Sequence, residues 1–160
     1  MDLKNNRNIV QKELLSELLS NLLTDVISLE LYYMKNAGVN NITSSEINII
    51  SAIAKDENPT MSSIAKTLSL TNGTITSAIK KLENKHYVER REDQTDRRFK
   101  HVLLTTKGKD VYALHLSFQE EMVTQVCDHN DSIKNEHLIA LLSNLSGFVN
   151  KVKYRYELEK

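Results

Sequence analysis

The sequence predicts a mainly α-helical fold with one β-hairpin, an α+β arrangement. Three observations predict it. Residues 60–85 hold two short amphipathic segments separated only by SLT. Two β-like runs, YVERRE and FKHVLL, follow directly and are near enough to pair as one hairpin. Long stretches with apolar residues at helical spacing flank this centre on both sides. Together they describe a helix-turn-helix that carries a hairpin wing, set between long flanking helices.

The elements follow in order. From Ile9 to about Lys35 the apolar residues Leu15, Leu18, Leu19, Leu22, Leu23 and Val26 mark one long helix, ended by Gly38 and the asparagines of GVNN. Thr43 with Glu46 three residues on is a capping box, and opens a helix over Ser44 to Lys55. That helix stops at KDENP, before Pro59, the one proline of the chain. Thr60 caps the short helix MSSIAKTL. Thr71 or Asn72 caps the next, within LTNGTITSAIKKLENKH. Tyr87–Glu92 and Phe99–Leu104 read as the paired strands. Thr105 then caps TKGKDVYALHLSFQEEMVTQV. The last helix starts at about Lys134, with Leu138, Leu142, Leu145, Val149, Val152 and Tyr156 spaced as a heptad-like seam. No repeat, low-complexity tract or Gly/Ser linker interrupts the 160 residues. They are expected to form a single unit, with 43–105 as a compact centre and with 9–36 and 106–158 as one helical assembly flanking it.

Composition narrows the partners. Hydrophobic residues make up 40% of the chain and charged residues 26%, an ordinary soluble balance. No apolar run of membrane-spanning length occurs. The polar DLKNNRN after Met1 is unlike an export signal, so a cytoplasmic location is expected. Net charge is zero, but its distribution is uneven. Residues 71–104 hold 8 Lys/Arg against 5 Asp/Glu, whereas residues 1–70 hold 6 against 8 and residues 105–160 hold 7 against 8. Local positive potential attracts a polyanion even when the whole chain is neutral.

The candidate site follows from that positive third. In the helix after SLT, Ile75, Ala78, Ile79 and Leu82 share a face that must be buried. The other side presents Asn72, Gly73, Thr74, Thr76, Ser77, Lys80 and Lys81, with Ser62 on the preceding helix. Hydroxyls and a missing Cβ near a helix N-terminus, with cations further along, suit a major groove about 12 Å wide. A plain solvated face would contain the same residues, so the hairpin decides. At its tip Asp96 stands beside Arg97 and Arg98. A carboxylate can hold one guanidinium by charge-assisted hydrogen bonds while the other enters a minor groove. Arg90, Arg91 and Lys100 would line the base of the wing over phosphates.

These stretches resemble the MarR family of winged-helix transcriptional regulators. The resemblance rests on MSSIAKTLSL, TNGTITSAIKKLENKHYVER, the wing motif DRRFKHVLLT and LTTKG, in that order. Within the wing motif it falls on Asp96, Arg98, Leu104 and Thr105. It implies a homodimeric DNA-binding regulator, a repressor at a palindromic operator, with recognition helices in successive major grooves. The seam of Leu138, Leu142, Leu145, Val149 and Val152 would supply the dimer contact. The chain departs from the family at His86, where glycine is common. The run from TNGTIT through FQEEMV is similar to the family's repressors of fatty-acid synthesis genes, which implies an acyl carrier protein as corepressor. Family resemblance also implies a cleft for a small apolar ligand, for which Leu29, Tyr32, Tyr33, Met34, Phe118 and Met122 are the candidates.

Other functions find less support. Cys127 has no second cysteine to resolve it, and its neighbour Asp128 is acidic. His86, His101, His115, His129 and His137 form no i, i+4 pair, so they read as scattered surface histidines with no metal. No glycine loop or catalytic constellation points to an enzyme, and no cofactor is expected. The rival from another class is a winged helix that binds protein and leaves DNA alone.

Overall fold

The computed structural model describes residues 3–92, 100–128 and 135–158. Among them are six helices and a two-stranded antiparallel sheet: α1 (Leu3–Asn36), α2 (Ser44–Lys55), α3 (Met61–Leu68), α4 (Asn72–Asn84), β1 (Val88–Glu92), β2 (Lys100–Leu104), α5 (Thr106–Asp128) and α6 (Asn135–Leu158). The chain divides into two compact units, Met1–Phe118 and Gln119–Lys160.

In the first unit the helix ends are set by local chemistry. Thr43 and Glu46 close the expected capping box on α2. On α3 the partner of Thr60 is Ser63, whose hydroxyl also donates to Asp56 Oδ2 at 2.6 Å. Thr71, not Asn72, caps α4, accepting from the Thr74 amide at 3.2 Å. α1 begins six residues before the apolar pattern does, because LKNNRN winds without an apolar signal of its own.

Three helices stop by the same device. After α1, Gly38 is left-handed at φ 88°, and the Val39 amide donates back to Met34 at 2.9 Å. After α3, Ser69 takes φ 54° and the Leu70 amide reaches Ala65. After α4, His86 takes φ 61° and the Tyr87 amide reaches Leu82. Each is a Schellman ending, which satisfies last-turn carbonyls; the residue that follows is buried at Tyr87, half-buried at Val39 and exposed at Leu70. His86 adopts the conformation that glycine would favour, at a cost of about 1 kcal/mol for a side chain there.

The strands pair from Val88↔Leu104 to Glu92↔Lys100. β2 also meets the segment before α3, through a Thr60↔His101 bridge and a Val102 amide bonded to the Pro59 carbonyl at 2.8 Å. The core gathers Met34, Ile47, Ile50, Ile64, Ile75, Ile79, Leu82, Tyr87, Val102 and Val111, all fully buried. Each such side chain contributes roughly 1.5–3 kcal/mol relative to exposure. This core joins α1 through α5 to the hairpin, so α4 and the strands stand on one packed base.

In the second unit, α6 carries Leu142, Leu145 and Val149 exposed, with Leu138 and Val152 half-buried. Ile139, Leu141 and Phe148 are exposed as well. The Tyr156 side chain lies outside the described residues.

Candidate nucleic-acid interface

α4 has 13 residues, roughly 20 Å of helix. Ile75, Ile79 and Leu82 are buried beneath it, while Asn72, Gly73, Thr74, Thr76, Ser77, Lys80 and Lys81 are all exposed. Ser62 on α3 is exposed too. The helical period therefore separates the faces as expected. Two hydroxyls already have local partners: Thr76 Oγ1 donates to the Asn72 carbonyl at 2.8 Å, and Thr74 Oγ1 lies 2.8 Å from Thr71 Oγ1. Their remaining lone pairs face solvent. Nothing but the Thr71 hydroxyl, at 3.9 Å, approaches the position a Gly73 Cβ would take. The space over Gly73 is open for another molecule.

The base of the wing is more neutral than expected. Arg90 pairs with Glu83 at 2.9 Å, Arg91 with Glu89 at 2.8 Å, and Lys100 with Glu92 at 3.7 Å. Arg91 and Lys100 remain well exposed, so each presents a cation with a carboxylate close behind it. Asp96, Arg97 and Arg98, on which the tip argument rests, lie outside the described residues.

The helix–wing junction holds a polar network that sequence reasoning missed. Lys85 ends α4, and its ammonium meets both carboxylate oxygens of Glu46 at 2.7 and 2.8 Å. The Lys107 ammonium donates to the Lys85 carbonyl at 3.0 Å and lies 4.3 Å above the Tyr87 ring. Tyr87 in turn donates to Asn41 Oδ1 at 2.6 Å. Burial pushes the Glu46 carboxyl upward, but the Lys85 and Thr43 hydrogen bonds outweigh it, and the net direction is down. Burial, reinforced by the nearby Glu46 charge, pushes the Tyr87 hydroxyl up and keeps it a donor. Only the capping role of Glu46 offered any sequence signal for this cluster.

The candidate ligand residues of the first unit have different surroundings. Met34 is fully buried in the core, so it fills space instead of lining a cleft. Phe118 is buried against Tyr33, their rings 5.7 Å apart. Tyr32 and Leu29 face outward beside an open hollow with Leu22, Asp25 and Val26. Met122 belongs to the second unit. His115, expected at the surface, is buried and bonded to Glu30. His129 lies outside the described residues. Cys127 is a half-buried free thiol.

A helix-turn-helix closed by a paired hairpin, with a polar face on its second helix, is the winged-helix class of transcriptional regulators. Comparison with known proteins agrees. The MarR family model matches residues 42–100. The regulator SarZ of Staphylococcus epidermidis is 29% identical over 119 residues, 74% of this chain and 75% of that protein. SarZ of Staphylococcus saprophyticus is 30% identical over 103 residues, 64% of this chain and 67% of that one. The crystal structure of Streptococcus pneumoniae FabT in complex with DNA superposes with a TM-score of 0.78 at 29% identity, covering 88% of this chain and 99% of FabT. The chain belongs to the MarR family, whose members are transcriptional regulators and not enzymes. Among the described residues no helix is long and apolar enough to cross a membrane.

Proposed function

We propose that this protein is a sequence-specific double-stranded DNA-binding regulator that acts in the cytoplasm as a homodimeric repressor at a palindromic operator. The observation that carries the reading is the exposed face of α4, where Gly73, Thr74, Ser77, Lys80 and Lys81 stand over a fully buried Ile75–Ile79–Leu82 face. The likeness to DNA-bound FabT supports it. Hydroxyls and the backbone at Gly73 would meet base edges, and the lysines phosphates. Arg98 would reach the minor groove, steadied by Asp96. Residues 43–105 would form the reading region, with 9–36 and 106–158 supplying the dimer contact. Exposed apolar residues along α1 and α6 support dimerisation, since stripes of that size call for a partner.

The finer reading follows the TNGTIT–FQEEMV run, and assigns fatty-acid synthesis genes as targets with an acyl carrier protein as corepressor. A small apolar ligand is the alternative effector. The glutamates paired with Arg90, Arg91 and Lys100 favour one rival, a winged helix that binds protein without DNA.

Selection of genomic fragments followed by mobility shift separates these readings. Binding to recovered fragments that falls steeply with salt, and is lost in Arg98→Ala without loss of thermal stability, supports the DNA reading. Failure to retain any fragment at low ionic strength rejects it.

A further inference from the structure

The C-terminal end of α4 is fastened from three directions. Lys85 ties it to α2, through a Glu46 carboxylate that also accepts from the Thr43 amide at 2.9 Å. Glu83, one turn inside α4, ties it to β1 through Arg90. Lys107, at the start of α5, grips the Lys85 carbonyl itself. The Glu46 side chain is only 7% exposed and that of Lys85 28%, so this ion pair is better shielded than those on the wing.

None of these groups lies on the exposed stretch from Asn72 to Ser77. They hold the far end of the same helix. A lever argument gives the consequence: on a helix roughly 20 Å long, a tilt of about 5° at the base carries the reading end about 1.7 Å sideways. A displacement of that size breaks a hydrogen bond to a base edge, whose workable range is only a few tenths of an ångström. Phosphate contacts made by flexible lysines would survive it, because a long side chain can follow its partner.

We propose that Lys85 and Glu46 form a positioning pair that sets the tilt of α4 on the duplex, so that discrimination between sequences depends on their contact. The proposal rests on the DNA-binding reading above. It gives Lys85 a role in specificity without contact with DNA.

The test uses the full chain, a genomic fragment selected by the parent protein, and a random duplex of equal length. Affinity for each is measured across a salt series for the parent, Lys85→Met, Lys85→Arg and Glu46→Gln. Glutamine still serves at the third position of a capping box, so Glu46→Gln weakens the tether while keeping the start of α2. Lys85→Met is expected to lower the ratio of specific to random affinity by about tenfold or more, the scale of one lost base contact. Affinity for the random duplex and its salt slope should stay as in the parent. Glu46→Gln should shift the ratio in the same direction, and Lys85→Arg should restore it.

An unchanged ratio in both Lys85→Met and Glu46→Gln overturns the proposal. So does a parallel fall on both duplexes with the salt slope reduced by about one, which would make Lys85 a phosphate contact. A parent protein that binds no duplex defeats the DNA reading itself, a result distinct from either.

Discussion

His115 Nδ1 lies 2.5 Å from Glu30 Oε1, with the two residues 6% and 8% exposed. The pair joins α5 to α1 inside the first unit. Removing one partner strands a polar or charged group out of water, whereas replacing both with apolar residues leaves nothing to desolvate. His115→Leu should therefore lower unfolding free energy by about 3 kcal/mol, and Glu30→Leu/His115→Leu should recover most of it. Urea unfolding at fixed protein concentration measures both. Additive losses in the double variant would refute the coupling.

Gly108 sits where a Cβ would come within 2.1 Å of the Tyr87 carbonyl oxygen and 3.1 Å of its carbon. That carbonyl also receives the Thr105 amide, and Thr105 Oγ1 donates to the His86 carbonyl at 2.7 Å, so the junction has no slack. Gly108→Ala must push α5 away from Tyr87, the residue before β1, with an expected loss of about 2–3 kcal/mol. An alanine variant melting with the parent would show that this contact yields.

The direction of the Glu46 shift sets an acid response. Its carboxyl is held below the ordinary 4.5, so the folded state binds that proton less readily than the unfolded chain. The associated stability is fully present above that ordinary value and drains away as pH falls through the folded one. As pH falls below about 4.5 the parent should lose more stability than Glu46→Gln, which has no carboxyl to titrate there. Thermal melts across that window decide; parallel curves would remove Glu46 from the account.

Leu145 is 42% exposed on α6, between exposed Leu142 and Val149. If a second copy covers this stripe, Leu145→Asp places a charge in an apolar contact and should shift the protein to monomer on a sizing column. With a desolvation cost of several kcal/mol, dimer affinity should drop by about a hundredfold or more. Retention at the dimer position would mean that the stripe is not the contact.

What could be read from the sequence was what depends on near neighbours. Thr43 with Glu46, Thr60, Thr71 and Gly38 all act within a few residues of where they stand. The buried and exposed faces of α4 follow from period alone. Pairings between elements were not legible, because one chain does not announce which faces meet. Glu46 finds Lys85 across 39 positions, and Glu30 finds His115 across 85. His115 looked like a stray surface residue for the same reason. The glutamate partners of Arg90, Arg91 and Lys100 were visible as letters but not as neighbours.

Those glutamates have a kinetic consequence. Residues 88–104 contain five Lys/Arg and four Asp/Glu, nearly a neutral set. Opposite charges held 2.8–3.7 Å apart, as in Arg91–Glu89 and Lys100–Glu92, form small dipoles whose field fades well inside the roughly 8 Å screening distance of physiological salt. The described base of the wing therefore adds little long-range pull. On the DNA-binding reading proposed above, capture would begin at Lys80 and Lys81, which have no ion pair among the described residues, and a wing guanidinium would trade its glutamate for a phosphate after arrival.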